Sequence, residues 1–229
     1  MDMLPAISLI CQASPVETLA LSSPASAGWI PRPGNSGYYE PISSAQLAPL
    51  GALRQLRRLT LTDVSDLDSS LVSTLRHLRA LTNLHLALHR CSKSGSNSCD
   101  VFEAVTAMPQ LEERYVAGNS GSRGEGMPDA MSRLIRLRNI HIRDVRIVDT
   151  GDALTTLTAL QSLTIVRPYE GFSPGPRPLT FLPAGMHALR SLRRMWVTCY
   201  HMAVTPLALP GLEELQLDAP RFGGEVGHA

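Results

Sequence analysis

Three residues that can bind a metal ion lie close together in the sequence, namely His89, Cys91 and Cys99. Zinc prefers histidine and cysteine, takes four ligands and usually includes a closely spaced cysteine pair. Here seven residues, rich in serine, separate the two cysteines, and a fourth ligand is not evident. This spacing is not typical of a zinc site. We therefore expect neither a metal ion nor any other cofactor.

Residues for nucleophilic catalysis are present, but no spacing places a nucleophile beside a base. The sequence lacks a phosphate-binding loop, a dinucleotide-binding glycine pattern, an HExxH motif and a GxSxG elbow. Serine, histidine and aspartate occur in most proteins, and their presence alone does not predict a triad. We expect a protein without catalytic activity. The alternative is an enzyme, or a regulatory subunit of one, with a polar site near His85, Tyr115 and His141.

The bulk composition is that of an ordinary globular protein. The 229 residues are 44% hydrophobic, and their formal net charge is +1 at pH 7. So small a charge creates no field that attracts nucleic acid or an anionic membrane, and we expect neither as a partner. No uncharged apolar stretch reaches the roughly 18 residues of a membrane span, so membrane insertion is not expected. The first residues lack the basic segment of a secretory signal, and the four cysteines are scattered; both favour a cytoplasmic protein.

One apolar pattern recurs seven times between residues 53 and 217. In each copy the first three apolar positions are three residues apart, and the fourth follows two residues later. The copies are Leu53-Leu56-Leu59-Leu61, Leu78-Leu81-Leu84-Leu86, Met108-Leu111-Arg114-Val116, Leu134-Leu137-Ile140-Ile142, Leu157-Leu160-Leu163-Ile165, Leu189-Leu192-Met195-Val197 and Leu209-Leu212-Leu215-Leu217. Their third positions lie 20 to 32 residues apart, and the two longest intervals contain insertions.

The spacing within each copy predicts a short strand preceded by a turn. The last two apolar residues have period two, so both point to the same side of a strand. The preceding three-residue steps suit a turn that leads into the strand. One unit cannot bury its own apolar face, whereas stacked units bury each other's faces in a continuous core. The pattern thus predicts a parallel sheet on the concave side and short helices or irregular turns on the convex side.

The chain resembles leucine-rich repeat proteins, whose units are about 20–29 residues long. Two segments resemble the Leu-Pro-x-x-Leu type of intracellular signalling proteins and plant disease-resistance receptors, starting at Met127-Pro128 and Leu182-Pro183. The family carries Asn or Cys three residues after the strand, and only Asn119 fits that position here. The resemblance implies an α/β leucine-rich repeat solenoid that binds a protein partner through its concave face. It also implies a scaffold, sensor or adaptor role, with cytoskeletal or ciliary association among the settings of the family.

The residue between the two inward apolar positions of each strand points outward, and these residues form what we call the central row. The central row consists of Thr60, His85, Tyr115, His141, Thr164, Trp196 and Gln216. Tyr, Trp and Arg contribute most to interface energies. We therefore predict that His85, Tyr115, His141, Trp196 and the outward-pointing Arg143 bind the partner. The alternative is that an outward row of seven positions holds assorted residues by chance.

Arg114 stands where every other copy has Leu, Ile or Met. An isolated buried charge at this position would cost several kcal/mol. We predict that the aliphatic stem is buried and the guanidinium reaches Glu103, Glu112 or Glu113, or else that the strand is locally displaced.

The repeats divide the chain into three ranges. We predict a degenerate repeat or added strands with a proline- and glycine-rich loop in residues 1–49, the solenoid in 50–220, and a tail in 221–229. Insertions at 90–100, 118–128 and 167–178 all follow directly after a strand, so they emerge along one edge of the solenoid. This edge is either neutral loop variation or part of the binding surface. The tail shows no polar cap, so membership of a larger complex or longer chain is a further alternative.

Overall fold

A computed structural model describes most of the repeat positions of the chain. The described residues are 16–22, 41–65, 69–88, 105–117, 129–143, 152–166, 180–181, 184–198, 202–203 and 209–218. The insertions at 90–100, 118–128 and 167–178 lie outside these ranges, as do His89, Cys91, Cys99, Asn119 and the tail.

Every copy of the repeat forms a strand at its last two apolar positions. Ten strands are described: β1 (Thr18–Ser22), β2 (Arg58–Val64), β3 (Asn83–Leu88), β4 (Glu113–Ala117), β5 (Asn139–Arg143), β6 (Ser162–Val166), β7 (Thr180–Phe181), β8 (Arg194–Thr198), β9 (Met202–Ala203) and β10 (Glu214–Asp218). Eight of them form one sheet in the order β1-β2-β3-β4-β5-β6-β8-β10, and all its pairs are parallel. The short β7 and β9 pair with each other.

The turn before each strand is also repeated. In every copy the backbone N–H of the second apolar position donates a hydrogen bond to the carbonyl of the first, three residues earlier. Leu137 N–H to Leu134 C=O, at 3.0 Å, is one example. The N–H of the first strand residue then bonds to the preceding repeat, as Asn139 does to Glu112 C=O at 3.2 Å. These two bonds fix each strand in register with its neighbour, which confirms the predicted turn.

Short helices cover the side of the sheet opposite to its outward face. The α-helices are Ser44–Leu47 and Ser69–His77, and the 3-10 helices are Ala48–Ala52, Asp129–Arg133, Asp152–Thr156 and Ala184–Ala188. Helices of successive repeats contact each other, so the helical layer stacks in step with the sheet. Between the layers lies a core of mostly leucine side chains, including Leu56, Leu81, Leu137 and Leu160, each 0% exposed. The predicted α/β solenoid, with its parallel sheet and short outer helices, is confirmed.

The two ends of the sheet differ in how well their apolar residues are covered. In β1, Leu19 and Leu21 are 8% and 7% exposed, and this strand belongs to the predicted N-terminal range 1–49. In β10, at the other edge, Leu215 and Leu217 are 51% and 39% exposed. Their register partners in β8 are almost fully buried, so β10 is covered on one side by β8. The division of the chain at residues 49 and 220 stays a prediction.

Arg114 occupies its repeat position without disturbing the strand. It lies in register between Leu84 of β3 and Ile140 of β5, so the predicted strand displacement is wrong. The whole side chain is buried, with 2% exposed, and Nη1 donates a hydrogen bond to the Met131 sulfur at 3.1 Å. Burial lowers the pKa of the guanidinium to about 9. Glu103, one of the predicted partners, lies outside the described residues.

Candidate functional site

The strand register aligns the central row across the sheet. Thr60, His85, Tyr115, His141, Thr164, Trp196 and Gln216 each pair directly with the next. Neighbouring strands lie about 4.8 Å apart, so side chains of one row stand beside each other at nearly the van der Waals distance of two flat rings. The prediction that these residues share one face of the sheet follows from apolar periodicity alone, and the register agrees with it.

At the centre of the row three rings stack. The ring centroids of His85 and Tyr115 are 3.9 Å apart with an angle of 28° between the planes. Those of Tyr115 and His141 are 4.4 Å apart at 18°. Because both faces of the tyrosine are covered by imidazoles, the three side chains hold each other in place. We call this group the ring stack.

A carboxylate held by two amides lies beside the ring stack. The residues that precede the central row by two positions include Asn83, Glu113 and Asn139, again on β3, β4 and β5. Asn139 Nδ2 donates to Glu113 Oε1 at 3.0 Å, and Asn83 Nδ2 donates to the other oxygen, Oε2. Thr82 Oγ1 donates in turn to Asn83 Oδ1 at 2.7 Å. The hydrogen bonds fix the direction of the Glu113 carboxylate, whose remaining lone pairs can accept from a ligand.

An open depression runs between the ring stack and the Glu113 carboxylate. Its volume is about 360 Å³, and the strands β2 to β6 line it. The walls are the two rows just described, and Thr60 and Thr164 lie at its two ends. This volume falls within the range of small-molecule pockets, about 300–1,000 Å³, but the depression is open, so it can also receive a few side chains of a partner.

Both histidines of the ring stack are held in the neutral form. Burial lowers the pKa of His85 below its usual value. Burial also lowers the pKa of His141, and the positive charge of Arg143 lowers it further, as does that of His85 when His85 is protonated. The two imidazoles thus favour the neutral form near pH 7, with the Glu113 carboxylate on one side and the exposed Arg143 on the other.

Removing Arg143 tests the electrostatics of the ring stack. Arg143→Ala is expected to raise the pKa of His141 because it deletes a neighbouring positive charge, while the pKa of His85, which burial lowers, should change less. The pH dependence of the imidazole Cε1–H resonances measures both values. Because folding lowers these pKa values, the unfolded chain takes up protons first as the pH falls below about 6.5. The folded state therefore loses stability on acidification. An unchanged pKa of His141 in Arg143→Ala would contradict the electrostatic effect of Arg143 on His141.

The five residues predicted to bind a partner divide into two groups. His85, Tyr115 and His141 contact each other in the ring stack, and Arg143 follows His141 by two positions on β5. Trp196 is 40% exposed and lies two strands beyond His141, with Thr164 between them. The sequence interpretation missed Asn83, Glu113 and Asn139. Their signal was available, since they share one repeat position immediately before the inward apolar pair.

Metal binding finds no support in the described ranges, where no three His, Cys, Asp or Glu side chains form a group that could hold an ion. The candidate ligands His89, Cys91 and Cys99 lie outside those ranges. No helix within the described ranges is long and apolar enough to cross a membrane.

Comparison with known proteins identifies the class of fold. No protein-family model and no curated protein matches the sequence. The structure is similar to an internalin (inlF) from Listeria monocytogenes, with a TM-score of 0.50 and 15% identity over 96% of this chain and 64% of the internalin. The chain thus spans less than two thirds of that protein's length. An internalin C2 from the same species matches with a TM-score of 0.45 and 13% identity over 80% of this chain and 88% of its own. A leucine-rich repeat protein of Leptospira interrogans matches with a TM-score of 0.40 and 13% identity over 95% and 54%.

These likenesses concern the fold. The chain has the leucine-rich repeat fold, and the resemblance deduced from its apolar spacing is confirmed.

Proposed function

We propose that the chain is a non-catalytic binding module that holds a protein partner on its outward sheet face, the concave face of the sequence prediction. The main observation that supports this proposal is the ring stack. Tyrosine and tryptophan contribute disproportionately to interface energies, and side chains that are already ordered lose little entropy on binding. The ring stack offers such a surface in the middle of the sheet, and the exposed Trp196 lies on β8, towards one edge of the same sheet.

The polar surroundings also suit a protein partner. Glu113 presents an oriented carboxylate on one side of the ring stack, and Arg143 presents a cation on the other. A face with both signs of charge and a neutral aromatic centre suits a peptide surface better than a polyanion, which requires many basic contacts. In keeping with the small net charge and the scattered cysteines, we further propose a cytoplasmic location, with a scaffold, sensor or adaptor role.

The alternative of an enzyme, or a regulatory subunit of one, gains no support from the described site. The histidines stack on Tyr115, and the Glu113 carboxylate accepts bonds from two amides. A general base must instead lie within hydrogen-bonding reach of the group that it deprotonates. The open shape of the depression also favours binding over chemistry that must exclude water.

The double variant Tyr115→Ala/Trp196→Ala tests the proposal. We expect it to lose proteins that wild type captures from native cell extract, because each truncated hot-spot aromatic costs about 2 kcal/mol or more. The matched control is Ile135→Ala/Arg136→Ala, which truncates two exposed residues of the turn before β5. Quantitative mass spectrometry compares the captured proteins, and thermal melting verifies the fold of each variant. Equal capture by wild type and by Tyr115→Ala/Trp196→Ala would refute binding through this face.

A further inference from the structure

Five exposed arginines of two consecutive repeats lie on the edge of the solenoid at which the strands begin. The residues between the buried Leu53, Leu56 and Leu59 point away from the core. The helix Ser69–His77 ends at the same edge, where a methyl group at Gly51 of the preceding repeat would lie 3.9 Å from its last Cβ. We call these side chains the arginine patch, which consists of Arg54, Arg57, Arg58, Arg76 and Arg79.

The other repeats show that the turn does not require arginine at these positions. Arg54 and Arg79 share the position directly after the first apolar residue of their repeats. In the remaining copies that position is occupied by Pro109, Ile135, Thr158, Arg190 and Pro210. Likewise, Thr82 and Gln161 stand where the first repeat has Arg57. Since such different residues form the same turn, the arginines add charge to this edge rather than stability to the fold.

Arginines near the opposite edge of the sheet are compensated by glutamates of the next repeat. Arg193 Nη1 lies 3.2 Å from Glu213 Oε1. Arg194 of β8 pairs in register with Glu214 of β10. Opposite charges on neighbouring strands stabilise each other in this way. These two repeats therefore balance the charges at the two positions that precede the inward apolar pair.

The arginine patch lacks this compensation. Asn83 of β3 pairs in register with Arg58, and Arg79 occupies the position equivalent to Arg54. Within the described ranges, none of the five guanidinium groups forms an ion pair. Guanidinium groups keep their charge near pH 7 and repel each other at short range. An anion that contacts several of them relieves this repulsion.

The surroundings of the arginine patch favour a short acidic peptide over a nucleic acid. Glu17 flanks the patch on the side of β1, and Glu112 and Glu113 flank it on the side of β4. These carboxylates repel a phosphate backbone that continues beyond the patch, whereas a short segment ends before it reaches them. The patch also contains no aromatic ring, on which proteins stack the bases of single strands. Guanidinium groups bind the carboxylates of Asp and Glu through two parallel hydrogen bonds.

We propose that the arginine patch binds a short segment of a protein partner that is rich in Asp and Glu. The segment lies along the edge at which the strands begin, and its carboxylates contact guanidinium groups of both repeats. Arg58 also lines the depression on the outward face, so the two surfaces adjoin. Binding at the patch does not require the ring stack, so this proposal stands apart from the proposed function.

Binding of a short, fluorescein-labelled poly-Glu peptide to the full chain tests the proposal, with fluorescence anisotropy as the readout. We expect binding at an ionic strength of about 0.15 M, and weaker binding as salt is added, because salt screens exposed charges. Arg54→Glu/Arg79→Glu should weaken the binding at least about tenfold, since it replaces two attractions by two repulsions. The matched control is Arg133→Glu/Arg136→Glu, which makes the same change of charge at exposed positions two repeats further along.

Four outcomes would overturn the proposal. Equal weakening by both variants would mean that the peptide responds to the overall charge, and no binding to wild type would mean that the patch is only solvated. Tighter binding of an oligothymidine of the same net charge, lost in Arg54→Glu/Arg79→Glu, would assign the patch to nucleic acid. Loss of the peptide in Tyr115→Ala/Trp196→Ala would place it on the outward face instead. Thermal melting verifies that every variant is folded.

Discussion

Leu137→Ala is expected to lower the free energy of unfolding by roughly 2–5 kcal/mol. Leu137 is the second apolar position of its repeat, is 0% exposed, and its N–H closes the turn before β5 on Leu134 C=O. Truncation removes the transfer free energy of the side chain and leaves a cavity. The repeats on either side cannot close this cavity, because their backbones are tied into the same sheet register. Urea denaturation followed by circular dichroism measures the change.

The matched control lies two residues away in the same turn. Ile135 is 63% exposed, so Ile135→Ala should change stability by no more than about 0.5 kcal/mol. Similar losses in both variants would mean that the second apolar position is not buried by its neighbours, and the stacked-repeat interpretation would fail with it. Because repeat units contribute through nearest-neighbour interfaces, a loss in one unit is expected to lower the cooperativity of unfolding as well.

The sheet could be predicted from the sequence because two short-range rules determine it. Period two places Leu163 and Ile165 on one side of a strand, and a three-residue step forms the turn before it. Both rules use only neighbours in sequence, and the repetition then imposes a parallel register. The strands β7 and β9 were not predicted, since Thr180–Phe181 and Met202–Ala203 have two residues each and carry no repeat.

Two kinds of feature could not be predicted from the sequence, namely the side-chain contacts within the site and the exposure of apolar residues at the sheet edge. Periodicity gave the alignment of His85, Tyr115 and His141, but not their stacking, which depends on side-chain torsions and on the uncharged state of the imidazoles. The shared repeat position places Glu113 in one row with Asn83 and Asn139, but the hydrogen bonds among them, between residues 30 and 26 apart, depend on side-chain conformation. Leu215 has the inward position of its repeat and is nevertheless half exposed, because no described strand pairs with β10 on the side away from β8.

Arg114→Met is expected to stabilise the protein. The side chain is almost completely buried between Leu84 and Ile140, and burial lowers its pKa to about 9, which reflects the cost of removing the charge from water. Replacing a buried ionic group, together with any charge paired to it, by apolar residues of similar volume is often neutral or stabilising, by about 1–4 kcal/mol. Methionine retains the unbranched stem and can pack against Met131, which now accepts a hydrogen bond from the guanidinium. Arg136→Met, at an exposed position, controls for the loss of one positive charge.

The stabilisation by Arg114→Met should also depend on pH in a defined direction. Burial lowers the pKa of Arg114 in the folded protein to about 9, so below pH 9 its guanidinium is charged in both the folded and the unfolded protein. Above pH 9, and until the arginine of the unfolded chain also loses its proton, the unfolded chain binds more protons, and the wild type gains stability as the pH rises. The difference between variant and wild type should be constant from pH 6 to 8 and shrink by on the order of 1 kcal/mol at pH 10. Other titrating groups are common to both proteins and cancel in the difference. A less stable Arg114→Met, with Arg136→Met unchanged, would instead show that the guanidinium contributes net stability to the core and that its burial is a specific feature of this repeat.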